Sequence, residues 1–175
     1  MKLNVESSLP FPRDLVFRTY RDRLVELLPF LPNIRGIEVK SRRDEPPITH
    51  LVNVWHGGGD VPKIARAVLS EKMLSWTDHA TWDESAWTCA WRMEAHSFKE
   101  AVHAEGQNEF RADGDRCTLV IRGDLTIDGR HLPIPRLLAG TVAPAVEKFL
   151  GSMIQPNLTE VGKGVVRFLE AARRV

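Results

Sequence analysis

Two polar side chains interrupt strand patterns that otherwise place apolar side chains on one face. Asp78 stands in the alternating row of Trp76 and Ala80, and Asn108 precedes Phe110 in a similar row. Burying a carboxylate without a partner costs several kcal/mol or raises its pKa, so Asp78 must have a partner, water or a ligand. Asp78 with Asn108 is the one inward polar pair that these rows offer for general acid–base chemistry. The alternative is a strand-end aspartate that reaches solvent or caps a loop.

A run of three glycines follows a histidine at His56-Gly57-Gly58-Gly59. This run is similar to the oxyanion-hole loop of esterases, but those enzymes also need a G-x-S-x-G nucleophile turn, which the sequence lacks. It also lacks the Gly-Lys-Ser/Thr ending of a phosphate-binding loop. We therefore interpret the glycines as a flexible hairpin loop. The loop Gly57–Lys63, which leads into the apolar segment Ile64–Leu69, is predicted to act as a mobile gate.

The histidines and cysteines do not form a metal-binding pattern. None of the six histidines belongs to an H-x-x-x-H or H-E-x-x-H motif. His103 and Glu105 share a strand face, but it is the face assigned to solvent, and a metal site needs three or more converging ligands. Cys89 and Cys117 are expected to be buried, reduced thiols, and two cysteines alone cannot make a zinc site. We expect no metal and no cofactor.

The composition is that of an ordinary soluble domain. The chain has 175 residues, of which 43% are hydrophobic and 27% charged. This length favours a single domain spanning residues 1–175, with enough buried surface for a full core and a cavity. The formal net charge of +1 argues against nucleic-acid binding. No apolar stretch approaches the ~20 residues of a membrane span, and the N-terminus lacks a signal-peptide core. We expect a cytoplasmic monomer or homodimer with at most transient membrane contact.

The elements that position these residues follow from hydrophobic periodicity. A two-residue period predicts strands, and steps of three or four residues predict helices. An amphipathic helix, or two short ones, is predicted from Pro12 to Leu28 between the first strand and the rest. The predicted strands are Lys2–Leu9, Ile34–Arg42, Ile48–His56, Lys72–Asp83, Ala86–Phe98, Ala101–Ala112 and Arg116–Ile127.

The last third of the chain is predicted to be a long helix, from Thr141 to Arg173. Pro156 removes one backbone donor and disturbs the preceding turn, so a kink is expected there. Two helices are the alternative, with Asn157 capping the second and Glu160 completing a capping-box-like pair.

Each strand sends alternate side chains to opposite faces of the sheet, which sorts the inner from the outer rows. The face of Leu51 to Trp55 cannot be assigned in this way. In the neighbouring strand the inner row runs from Leu74 to Trp82. The other inner rows are Trp87, Cys89, Trp91, Met93 and Ala95; Val102, Ala104, Gly106, Asn108 and Phe110; and Cys117, Leu119, Ile121, Gly123 and Leu125.

The element order resembles that of the START-like, helix-grip SRPBCC superfamily. The pattern Ser8-Leu9-Pro10-x-x-Arg13-Asp14-x-Val16-Phe17-x-x-Tyr20-Arg21-Asp22 carries the same resemblance at the entry to the first helix. A second segment is more weakly similar to the end of PRELI-type lipid-transfer domains: Glu147-Lys148-Phe149-x(7)-Asn157-x(5)-Lys163-Gly164. The resemblance implies an α+β fold in which a curved antiparallel sheet of about seven strands wraps around a long, kinked C-terminal helix.

The resemblance also implies a hydrophobic ligand, such as a lipid, sterol or polyketide, held between sheet and helix. A curved sheet around one helix often leaves a pocket with apolar walls and a few polar groups. The leading hypothesis is a binding or transport module. The alternatives are a cyclase- or hydrolase-like enzyme that uses Asp78 as general acid or base, and a regulatory module that needs an exposed apolar patch. The predicted ligand contacts are Trp76, Asp78, Trp91, Met93, Asn108, Phe110, Ile121, Phe149 and Met153.

Overall fold

The fold is a seven-stranded antiparallel sheet with one long helix packed on its inner face, seen in a computed structural model of the chain. The structure describes residues 1–58, 61, 63, 64, 66, 69–97, 99–132, 134 and 136–174, without the side chains of residues 71, 136–139, 147, 153 and 155.

The sheet has the strand order β1-β7-β6-β5-β4-β3-β2, so sequential strands are neighbours from β2 to β7. β1 pairs with β7 at the far edge of the sheet, and α2 packs against both of these strands. The helix-grip architecture expected from the sequence is confirmed. The strands are β1 (Lys2–Leu9), β2 (Ile34–Glu45), β3 (Ile48–Gly57), β4 (Ser75–Asp83), β5 (Thr88–Ala95), β6 (Val102–Asp113) and β7 (Arg116–Ile127).

Two short helical segments follow β1, as one of the two sequence alternatives predicted. Helix α1 spans Arg13–Asp22, and a 3-10 helix spans Leu24–Phe30. α1 buries Val16, Phe17 and Tyr20 on one face. Because these apolar positions recur at steps of about one turn, α1 can pack this face against β6 and β7.

The C-terminal helix α2 (Arg136–Ala172) is continuous and contains both Pro144 and Pro156. It begins five residues before the predicted start at Thr141, and the alternative of two helices is wrong. A proline in a helix interior removes one hydrogen bond, at a cost of about 3 kcal/mol. The apolar rows on both sides of Pro156 remain buried, including Val146 and Val165, and this packing stabilises an unbroken helix.

Two strands start later than the sequence pattern predicts. A 3-10 turn at Glu71–Met73 replaces the start of the predicted strand Lys72–Asp83. The strand expected from Ala86 starts at Thr88, because Trp87 belongs to the preceding turn and has a φ of 57°. A positive φ is strained for a bulky residue. Trp87 therefore precedes the strand, but its ring still faces the core, where it packs edge-on against Phe17 at 5.3 Å between centroids.

The core has two parts. One is aromatic-rich and lies beneath α1, where Phe17 contacts Trp82 and Phe110 at 5.1 Å between ring centroids in each pair. The other is aliphatic and lies beneath the first half of α2. Trp91 and Leu158 pack against both parts. None of the helices in the described part of the chain is long and apolar enough to cross a membrane.

Candidate functional site

A cavity of about 160 Å³ lies between the sheet and α2. Its walls are mostly apolar and come chiefly from the inner faces of β3 to β6 and one face of α2, with Tyr20 and Leu24 added by the two short helical segments. Residues from both parts of the core contribute, including Leu51 and Trp82 from one and Leu74 and Leu150 from the other. The cavity therefore lies where the aromatic and aliphatic parts of the core meet.

Five of the nine residues predicted as ligand contacts line this cavity: Trp76, Asp78, Trp91, Met93 and Asn108. The other four do not enter the described lining. Phe110 and Ile121 belong to the packed core, each 1% exposed, because α1 and the sheet enclose them. Phe149 packs at the edge of the aliphatic part. The side chain of Met153 lies outside the described residues.

Asp78 points into the cavity from the middle of β4. Asn53 Nδ2 donates a hydrogen bond of 3.1 Å to Asp78 Oδ2. Burial raises the pKa of Asp78 to about 6, although Asn53, Trp55 and the more distant His79 favour the ionised form. The strand-end alternative is wrong, since β4 continues for five residues beyond Asp78. A carboxyl with a pKa near neutrality can exchange a proton with a bound molecule.

Asn53 and Trp55 were not among the predicted site residues, because the pattern of β3 did not reveal its inner face. Its neighbours settle the question: Asn53 pairs with Asp78, and Trp55 pairs with Trp76, in the β3–β4 register. Directly paired residues of an antiparallel sheet point to the same face. The Trp55 and Trp76 rings stack 6.0 Å apart at an interplanar angle of 7°. They form a flat aromatic wall beside Asp78.

The position of Trp91 depends on a pair of glycines. Gly106 and Gly123 face each other on β6 and β7, and Gly106 also pairs with Trp91. A Cβ atom on Gly106 would lie 2.6 Å from the Trp91 ring, and one on Gly123 would lie 3.0 Å from it. Only glycine leaves room for the indole to lie against the sheet here. From this position Trp91 Nε1 donates a hydrogen bond of 2.9 Å to Asn108 Oδ1.

Tyr20 brings a further polar group to the cavity from α1. Burial raises the pKa of its phenol far above the ordinary value, and nearby Cys89 and Asp78 raise it further, while Asn108 lowers it by hydrogen bonding. Burial also raises the pKa of the Cys89 thiol, and Asp78 adds to this effect. Both groups are therefore neutral near pH 7. Tyr20 was predicted only as an apolar position of an amphipathic helix, a pattern that does not show where its hydroxyl points.

Several polar atoms of the cavity-lining residues lack a hydrogen-bond partner within the described structure. The Trp55 indole N–H is near enough to Asp78 to lower the pKa of that carboxyl, but it makes no hydrogen bond of ordinary geometry. Buried polar groups are normally paired, so unpaired ones identify where a ligand or water can bind. The unpaired polar atoms among the described residues of the cavity wall are Asn53 Oδ1, Trp55 Nε1, Trp82 Nε1 and Asn157 Oδ1.

The predicted gate falls partly on residues 59, 60 and 62, which lie outside the described residues. Gly57 and Gly58 are held by backbone hydrogen bonds. The Gly57 N–H donates to the Leu74 carbonyl oxygen at 2.6 Å, and the Gly58 N–H donates to that of Asn33 at 2.9 Å. Movement of the remaining loop stays a prediction. Across the described part of the chain, no three His, Cys, Asp or Glu side chains come together as a metal site.

No protein-family model matches the chain, and no curated protein sequence matches it. Solved structures do match over nearly the whole chain. TTHA0849 from Thermus thermophilus is 19% identical with a TM-score of 0.72, covering 98% of this chain and 99% of that one. The Zhui aromatase/cyclase from Streptomyces sp. R1128 is 19% identical with a TM-score of 0.69, covering 99% and 94%. Norcoclaurine synthase from Thalictrum flavum is 11% identical with a TM-score of 0.61, covering 97% and 86%. At these identities the likeness shows the helix-grip fold.

Proposed function

We propose that this protein binds a small hydrophobic ligand in the cavity between the sheet and α2. The observation that carries the proposal is an apolar cavity that the core leaves unfilled and that has a polar group, Asp78, on its wall. Ligand sites of proteins combine these two features, since apolar walls supply affinity and a few polar groups orient the ligand.

The cavity volume limits the size of the ligand. An apolar cavity of about 150 Å³ holds one benzene-sized molecule, and this one has about 160 Å³. A ligand with one or two rings is therefore preferred over a sterol or an extended acyl chain. The stacked Trp55 and Trp76 rings add a surface on which another aromatic ring can pack.

Two alanine-to-leucine substitutions, one inside the cavity and one outside it, test the proposal. Ala80 is 4% exposed and lines the cavity, whereas Ala90 lies on the exposed outer face of the neighbouring strand. We expect Ala80→Leu to weaken binding of toluene and 2-naphthol at least tenfold and Ala90→Leu to leave it unchanged. Four of the five tryptophans line the cavity, so quenching of tryptophan fluorescence measures binding directly. Equal binding to both variants would contradict the proposed site.

A second candidate function is catalysis on an aromatic or polyketide substrate, with Asp78 as general acid or base. The pKa of about 6 favours it, because such a group is present in both protonation states near neutral pH. Two of the solved structures with a similar fold are named as enzymes, an aromatase/cyclase and a synthase, so this architecture can accommodate catalysis.

Asp78→Asn separates the two candidates. The amide keeps an oxygen that can accept the hydrogen bond from Asn53, but it cannot transfer a proton. If an aromatic polyketide is turned over by the native protein, we expect the variant to bind it with little change and to lose turnover by about 100-fold or more. Equal turnover by both proteins would exclude Asp78 as the acid or base.

A further inference from the structure

The cavity has an unbalanced charge. Among the described residues that line it, Asp78 is the one group that carries a charge near neutral pH, since burial keeps Tyr20 and Cys89 neutral. The described lining contains no lysine, arginine or histidine. Asp78 receives hydrogen-bond support from the Asn53 amide, which is neutral. The carboxylate therefore has no counter-charge inside the cavity.

His79 does not supply that counter-charge from within. It follows Asp78 on β4, so its side chain points to the opposite face of the sheet. There His79 Nε2 lies 3.6 Å from Glu94 Oε2, and the His79 side chain is 37% exposed. Its partner is a carboxylate on the outer surface. The His79 ring therefore lies beside Glu94 on the outer face and outside the cavity.

We infer that the cavity selects a compact aromatic amine, whose ring lies among the tryptophans and whose ammonium group pairs with Asp78. This inference rests on the proposed ligand-binding function. The ammonium supplies the missing counter-charge, and its N–H groups can also donate to the unpaired Asn53 Oδ1. Tryptophan faces attract cations as well, an interaction of about 0.5–2 kcal/mol.

The energetics favour a cation over a neutral or anionic analogue. Forming a buried ion pair normally requires both ions to lose water. Here folding has already removed part of the hydration of the carboxylate, because Asp78 is half-buried in the cavity wall and burial raises its pKa, so ligand binding adds mainly the desolvation of the ammonium. An anionic ligand such as a fatty acid would instead place a second negative charge beside Asp78. Its binding is therefore disfavoured by both desolvation and repulsion.

Three ligands of similar size and different charge test the inference: 2-phenylethylamine, 2-phenylethanol and 3-phenylpropionate. At pH 7.5 we expect the dissociation constant of the amine to be at least tenfold lower than that of the alcohol, with the carboxylate the weakest ligand. In Asp78→Asn we expect the amine to lose this advantage while the affinity for the alcohol stays within about twofold, because the amide lacks the charge. Binding is measured by tryptophan quenching and by calorimetry, with circular dichroism as the check on folding.

The pH dependence of the native protein provides a test that needs no variant. With a pKa of about 6 for Asp78, the affinity for the amine should fall about tenfold from pH 7.5 to pH 5, as the carboxylate is protonated, while that for the alcohol stays constant. The titratable groups around Asp78 are His79 on β4, Tyr20 on α1 and Cys89 on β5; the described α2 residues that line the cavity have none. The shift should persist in His79→Gln.

The outcomes separate this inference from the function on which it rests. If the alcohol binds as tightly as the amine, or if the preference for the amine survives in Asp78→Asn, the charge inference is wrong and the hydrophobic-ligand function stands. If none of the three binds and toluene and 2-naphthol also fail, the proposed function itself is wrong.

Discussion

The buried carboxylate of Asp78 links the stability of the protein to the chemistry of its cavity. Its pKa of about 6 in the folded state is above the ordinary value of 3.8, because burial disfavours the charged form more than Asn53 and Trp55 favour it. The fold therefore loses stability when Asp78 ionises. A residue that lowers stability in this way is typical of functional sites, where strain and charge serve binding or catalysis.

The stability cost of Asp78 gives a pH-dependent prediction. Between about pH 4 and pH 6 the folded chain binds more protons at Asp78 than the unfolded chain does, so ionisation of this residue lowers the free energy of unfolding as the pH rises. Asp78→Asn does not titrate. We expect its stability relative to the native protein to increase by roughly 2–3 kcal/mol from pH 4 to pH 7. Urea denaturation at each pH measures this difference.

The contributions of other titrating groups cancel when the stabilities of Asp78→Asn and the native protein are compared at the same pH. Asp22 and Glu84 have pKa values lowered by arginine neighbours, and they titrate alike in both proteins. A difference that stays constant between pH 4 and pH 7 would show that Asp78 is not destabilised in the folded state.

A second prediction at the scale of single residues concerns the Trp91–Asn108 hydrogen bond. Asn108 is 4% exposed, and its partner donates at 2.9 Å. In a double-mutant cycle with Trp91→Phe and Asn108→Ala, we expect a coupling energy of about 1 kcal/mol. The exposed pair Arg111–Glu109 on the same strand is the control and should couple by less than about 0.5 kcal/mol. Equal coupling in the two pairs would contradict a special role for the buried bond.

Sequence patterns predicted Asp78 and Asn108 as inward polar residues because each interrupts a clean alternating row. They did not identify Asn53, since β3 has buried residues on both faces, including Val54 and Trp55, and so shows no clear alternation. The inner face of β3 follows from its pairing with β4. That pairing is a long-range property that a local period of two cannot contain.

At the scale of elements, the sheet leaves space for Trp91 by omitting two side chains. Gly106 and Gly123 were predicted as positions of the inner rows. The indole of Trp91 fills the space that these glycines leave, and its edge helps to form the cavity wall. The strand pattern alone could not show this, because the Trp91 ring extends from β5 across β6 to β7.

Glycine-to-alanine substitutions test this arrangement. A Cβ atom at Gly123 would lie 2.4 Å from the backbone oxygen of Glu105, which cannot move without distorting the sheet. We expect Gly123→Ala to destabilise the protein by about 2–3 kcal/mol and to shift tryptophan emission as Trp91 is displaced. Gly140 on α2 has nothing within 4 Å, so Gly140→Ala should stabilise by about 0.5–1 kcal/mol. Thermal denaturation compares the two, and equal effects would contradict the packing argument.

Helix and strand positions were predicted well where amphipathic periods run long, as in β6, β7 and α2. Errors occurred at turns. Trp87 fits the inner-row alternation but has a positive φ. Its ring contacts Phe17 edge-on and lies 4.2 Å from the Arg13 guanidinium. These contacts come from α1, about 70 residues earlier in the chain. A local pattern favours a strand there, and tertiary packing overrides it.

At the scale of the whole molecule, the cavity is a region that the core leaves unpacked. Its residues come from both parts of the core, and both Trp91 and Leu158 contact the two parts. Unfilled apolar volume lowers stability, by about 24 cal/mol per Å³ in large-to-small substitutions. A chain that keeps about 160 Å³ open thus forgoes stability that better packing could supply. The proposed ligand-binding function gives a physical reason to retain such a space.

This argument predicts opposite effects of one substitution on stability and on binding. Ala80 lies between Leu51 on β3 and Trp91 on β5, and its side chain faces the cavity. We expect Ala80→Leu to raise the stability of the ligand-free protein by about 1–2 kcal/mol by filling part of the space. The same variant should lose about half or more of the increase in melting temperature that a saturating aromatic ligand gives the native protein, an increase worth about 2.7 kcal/mol at a concentration 100 times the dissociation constant. Differential scanning calorimetry with and without 2-naphthol measures both effects. A less stable variant that still responds to ligand would mean that the added side chain overpacks a closed core and that binding occurs elsewhere.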